Sequence, residues 1–223
     1  MKLKSRWFLN VIGMISISMV LLKGSEVPGA KQDASEIVKR VRNTLDNIKT
    51  FSCRFESEQV WKVAERTQHV TGTVYMKMGK TYMLRIERPE QIIVNDGKTV
   101  WSYIPKNNQV QISDSEGDSE NFPSPHNIFK QYAEKREVIL SGKEKVNSSD
   151  CDVLSLVSQD PDEARVTVWI DINLHFPVKA REETATGDVT THTLSDVRLK
   201  EKIDDRIFSF VPPEGVSVID MRE

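Results

Sequence analysis

The sequence predicts a mainly β chain of the α+β class: one amphipathic helix, then about ten or eleven short strands forming an antiparallel barrel or strongly curved sheet. Three observations carry this. The hydrophobic period changes from 3.6 to 2 near residue 51, and segments of similar size then recur at near-regular spacing. Turn residues, among them 9 Pro and 10 Gly, punctuate those segments along the whole length. Neither an internal repeat nor a second composition divides the chain, so a single domain is expected.

Residues 1–29 read as a signal peptide. Lys2, Lys4 and Arg6 form a basic head, residues 7–22 an apolar stretch, and Lys23 closes it. That stretch is shorter and more polar than the ~20 apolar residues of a spanning helix. Cleavage is expected between positions 24 and 30. No cysteine precedes Cys53 to take a lipid anchor, so residues 30–223 are expected as an exported, soluble domain.

The helix is expected at 33–48, opened by an Asp33/Glu36 capping box, with Ile37, Val41, Leu45 and Ile48 on one face. From residue 51 Phe51, Cys53 and Phe55 alternate with Ser52, Arg54 and Glu56, the pattern of a half-buried strand. Further strands are expected at 70–78, 81–87, 91–94, 99–104 and 109–113, with a hairpin turn at Asn95-Asp96-Gly97-Lys98. Residues 114–124 are acidic with almost no apolar side chain and read as a mobile loop. Ser124-Pro125 then opens a short helix carrying Ile128, Phe129 and Tyr132. Strands follow at 137–141, 152–158, 164–170, 177–183 and 188–197, with a last piece around Phe208 and Phe210 before Pro212-Pro213.

The formal net charge of −2 offers no basic footprint for nucleic acid. His69, His126, His175 and His192 are scattered without metal-ligand spacing, and the carboxylates of 160–163 and 204–205 fall in turns. No nucleophile elbow or phosphate-cradling glycine loop occurs, so no enzyme is expected. Cys53 and Cys151 are either a disulfide or two buried thiols; spacing does not decide between them. Tyr75, Met76, Met78, Tyr82 and Met83 put adaptable thioethers and rings on neighbouring strands.

Two stretches resemble a known family. Residues 89–105 read Pro-x-x-Ile-Ile-Val-Asn-Asp-Gly-Lys-Thr-Val-Trp-Ser-Tyr-Ile-Pro, and residues 208–220 read Phe-Ser-Phe-Val-Pro-Pro-Glu-Gly-Val-Ser-Val-Ile-Asp. Both are similar to the LolA family of outer-membrane lipoprotein carriers. The helix leading into Phe51-x-x-x-Phe55-x-x-x-Gln59, the strand opened by Gly72 and the acidic segment before a short helix add to the resemblance. It implies an incomplete antiparallel β-barrel covered by helices, no cofactor, and a monomeric carrier in the periplasm of a Gram-negative bacterium. The partners it implies are acylated lipoproteins, an inner-membrane lipoprotein-releasing ABC transporter and an outer-membrane receptor. The alternative is a periplasmic lipid-binding sensor or scaffold of the same fold.

On this basis Phe55, Trp61, Val74, Met76, Met78, Leu84 and Trp101 are expected to line an acyl-chain cavity, under a lid of Ile128, Phe129 and Tyr132. The resemblance departs at Lys77-Met78-Gly79-Lys80, where the family commonly carries Lys-Arg-Pro. The arginine there is implied to latch the lid, and Met78 has no N–H to donate. Lys77 or Lys80 stands as the substitute, without the planar fork of a guanidinium.

Overall fold

A computed structural model of the chain describes residues 28–79, 81–115, 129, 133 and 136–222. The expected signal segment up to residue 27, the acidic stretch from residue 116, Lys80, Ile128 and Tyr132 lie outside these residues.

Helix α1 (Pro28–Asp46) begins five residues before the expected capping box, so Asp33 and Glu36 lie within it. Proline suits a first turn, whose N–H groups have no partner inside the helix. The predicted apolar stripe holds: Ile37, Val41, Leu45 and, just beyond the helix, Ile48 are all buried. This face packs on strands β7 and β10.

The strands are β1 (Thr50–Trp61), β2 (Arg66–Met78), β3 (Tyr82–Arg88), β4 (Gln91–Asn95), β5 (Thr99–Ile104) and β6 (Gln109–Asp114), followed by β7 (Glu137–Val146), β8 (Ser149–Val157), β9 (Arg165–Asp171), β10 (Phe176–Glu183), β11 (Val189–Leu199) and β12 (Ser217–Asp220). They form one sheet in the order β12-β6-β5-β4-β3-β2-β1-β11-β10-β9-β8-β7. Two antiparallel meanders are thus joined where β1 pairs with β11. The edges β7 and β12 do not meet, which leaves the barrel incomplete.

Register shifts at Ser52/Arg54, Leu140/Gly142 and Pro177/Lys179 bend the strands that carry them. Pro177, which has no N–H for the ladder, sits at one of them. The hairpin turn is built as expected. Asn95 Oδ1 accepts from the Gly97 N–H at 2.7 Å, Asp96 Oδ1 accepts from the N–H groups of Lys98 and Thr99, and Gly97 takes φ +94°.

The C-terminal piece differs from expectation. Asp205–Phe208 is a 3-10 turn capped by Asp204, and the last strand comes after Pro212-Pro213, as β12, parallel to β6. Every residue of β12 is exposed, so no alternation marked it in the sequence.

The two faces of the sheet carry separate apolar groups. On the inner face Phe51, Cys53, Met76, Leu84, Val168 and Val178 pack with α1 and Phe129. On the outer face the C-terminal segment covers β3 to β6. Arg85 Nη1 donates to the Ile207 carbonyl at 3.1 Å, Lys77 pairs with Asp205, and the Phe210 ring lies 5.9 Å from Tyr103 and 6.4 Å from Trp101.

Candidate functional site

The inner face encloses a cavity of about 580 Å³. Its wall follows the two-residue period through the register. Phe51, Cys53 and Phe55 of β1 stand beside Met76 and Val74 of β2, which stand beside Leu84 and Ile86 of β3. The opposite wall is Leu156, Val166, Val168, Val178 and Leu194, and Phe129 closes over the space, itself buried. Phe129 and Ala133 are both helical and buried, and four residues apart they share one helix face.

Gly72 shapes the floor. A Cβ there would lie 2.4 Å from the Glu87 carbonyl oxygen and 2.7 Å from the Phe55 ring, so only glycine lets the ring lie across β2. Of the residues expected to line the cavity, Phe55, Val74, Met76 and Leu84 border it, as does Phe129.

Trp61, Met78 and Trp101 do not. Trp61 is on the inner face but past the cavity's end, opposite Arg66, whose guanidinium sits 5.1 Å over its ring. Met78 packs against the core at the opposite end of β2. Trp101 pairs with Val94, whose neighbour Ile93 borders the cavity, so Trp101 faces outward onto Phe210. Lys77, also outward, is held by Asp205.

The wall formed by β8 to β11 was missed from the sequence. Its alternation is obscured where both faces are apolar, as at Val166, Val168, Trp169 and Ile170, all buried.

The cavity turns polar at one end. Ser57 Oγ and His192 Nδ1 lie 2.7 Å apart across β1 and β11, and Arg88, Glu182 and the backbone neighbours of Ala180 border the same space. Burial draws the His192 pKa below its ordinary value, against the pull of the nearby Glu182 carboxylate, so the ring is neutral at pH 7.

Cys53, in the wall, has its thiol pushed up to about 12 by burial; Cys151 is raised to about 11, first by burial and then by Asp171. Both are unpaired thiols, which decides the alternative left open by their spacing. Among the described residues no group of three or more His, Cys, Asp or Glu side chains is placed to hold a metal ion. The arrangement is that of a container, with apolar walls and one polar end.

The comparisons with known proteins agree with that geometry. The family model described as outer membrane lipoprotein carrier protein LolA matches residues 46–211 of the 223. An uncharacterised protein of Methanocaldococcus jannaschii is 26% identical over 208 residues, 91% of this chain, which spans 59% of that protein's length. The outer-membrane lipoprotein carrier protein of Hahella chejuensis is 25% identical, with 82% of this chain and 87% of that protein covered. Among solved structures, MucB shares the fold with a TM-score of 0.59 at 16% identity, covering 84% of this chain and 66% of that one. An open antiparallel sheet around an apolar cavity, with a carrier-family match over most of the chain, assigns this protein to the LolA superfamily of lipoprotein- and lipid-handling proteins.

Proposed function

We propose that this protein is a periplasmic carrier that binds the acyl chains of lipoproteins released from the inner membrane and delivers them to the outer membrane. The observation that supports it best is the cavity of about 580 Å³ with aromatic and aliphatic walls beneath Phe129. At about 0.8 kcal/mol per CH₂, a 16-carbon chain left in water costs on the order of 12 kcal/mol, so transfer between membranes needs an apolar container. A cavity closed by an apolar side chain of the same molecule also allows release, since Phe129 refills the space as the cargo leaves.

In this reading cargo is received from an inner-membrane lipoprotein-releasing ABC transporter and handed to an outer-membrane receptor. In the same reading Phe129 belongs to the lid. Two experiments test it. Depletion should strand acylated lipoproteins at the inner membrane on fractionation, and normal sorting without the protein would refute the carrier. A fluorescent fatty-acyl probe should bind the parent and bind a Phe129→Asp variant differently; equal binding removes Phe129 from the lid. A sensor or scaffold of the same fold would bind the probe and leave sorting intact.

A further inference from the structure

Arg88 borders the polar end of the cavity. Arg54, Arg85, Arg136, Arg181 and Arg198 each meet a carboxylate: Asp196, Glu87, Glu163, Glu183 and Glu201 respectively. Among the described residues Arg88, which borders the cavity, meets a neutral group and no carboxylate, donating from Nη2 to the side-chain oxygen of Gln91. Gln91 is itself held by donating to Ser102 Oγ at 2.7 Å, so the guanidinium is fixed through β4 and β5 and not left to swing into solvent. Its Nε–H is shielded from water and has no acceptor among the described residues.

A shielded donor on a permanently charged group is expensive to leave unmatched, and a guanidinium matches a carboxylate or phosphate better than any other partner. The position fits a head group as well. Arg88 follows Leu84 and Ile86 on the inner face of β3, one step past the Thr73–Glu87 pair, so it continues the apolar wall at its end.

We propose that Arg88 makes this end of the cavity a receptor for the oxyanion head, carboxylate or phosphate, of an amphiphile whose apolar tail fills the space between Phe51, Met76 and Leu84. This rests on the reading of the cavity as an acyl-chain site and adds to it a preference that acyl chains alone do not give. Ser57 and the neutral His192 supply hydrogen bonds beside the head.

The test uses the full-length exported protein and two probes with one fluorescent tail, a fatty acid and its methyl ester, at pH 8 where the acid is ionised. The parent should bind the acid at least roughly ten-fold more tightly than the ester, the effect of one charge-assisted hydrogen-bond pair. Arg88→Met should bring that ratio to one or below. Equal or ester-favouring binding by the parent overturns the proposal while leaving the acyl-chain reading intact; failure of the parent to bind either probe overturns that reading, and the proposal with it. Should Arg88→Met fail to fold, Arg88→Gln, which keeps a polar side chain without the charge, and the ratio in the parent decide. Acetate and inorganic phosphate are added as competitors: displacement of the acid by either at concentrations near those of the probe marks a site for free anions and overturns the amphiphile, whereas no displacement supports it.

Discussion

Replacing Gly72 by alanine is the sharpest test of how the cavity is built. The added Cβ would sit 2.4 Å from the Glu87 carbonyl oxygen and 2.7–2.8 Å from two atoms of the Phe55 ring. Even a weak C–H···O contact is formed at about 3.3–3.6 Å, so the β2–β3 pair must open by about 1 Å or the strand must twist. The ring can turn away, but a backbone carbonyl inside a ladder cannot. Overpacking of this kind costs about 1–3 kcal/mol, and one weakened ladder bond adds about 1 kcal/mol. A loss of about 2–4 kcal/mol is expected, a large part of the ~5–15 kcal/mol of an ordinary domain.

Urea denaturation reports that loss as a lower midpoint at unchanged slope. Adding Phe55→Leu to Gly72→Ala relieves the ring contact alone, so the double variant should recover only part of the stability. In the single variant the Phe55 ring is pushed into the cavity and acyl-probe affinity should drop. A Gly72→Ala protein within about 0.5 kcal/mol of the parent, measured this way, would refute the argument that the Glu87 carbonyl sets this limit.

Three further outcomes are expected. Burial lowers the His192 pKa in the folded state, so below pH 6.5 the unfolded chain binds more protons and stability falls as the pH drops from 6.5 through the folded value; His192→Gln should remove part of that slope, and denaturation midpoints unchanged in their pH dependence would contradict it. Cys53 and Cys151, with thiols raised by burial, should release no chromophore from an aromatic disulfide reagent at pH 8 until urea is added; rapid reaction of the folded protein would show that one is open. Met78→Arg introduces the guanidinium that the family resemblance leads one to expect here and should slow acyl-probe uptake by roughly ten- to a hundred-fold if a latch forms, as one charge-assisted hydrogen bond permits; unchanged uptake assigns closure to another contact, or the latch to another position.

Much of the architecture was written locally. The stripe Ile37, Val41, Leu45 and Ile48 committed one segment to a helix face, because its spacing suits only a period of 3.6, and all four are buried. Asn95-Asp96-Gly97-Lys98 specified its own turn, because its side chains supply the hydrogen bonds and Gly97 the positive φ that the turn requires. Alternation placed Phe55, Val74, Met76 and Leu84 together, since one face of a strand pair follows once the register is known.

Tertiary structure decided the rest. Period two separates two faces without saying which is inside, and here the outer face of β5 is covered by a segment about a hundred residues further on. Trp101 therefore reads as a cavity residue in sequence and packs on Phe210 in space. Where the cavity ends is likewise a matter of how far the sheet curls, which excludes Trp61 and Met78 from a wall whose alternation they continue. The charge of Arg88 is plain in the sequence, but that it meets no carboxylate among the described residues depends on the whole set of strands that the curled sheet brings around it.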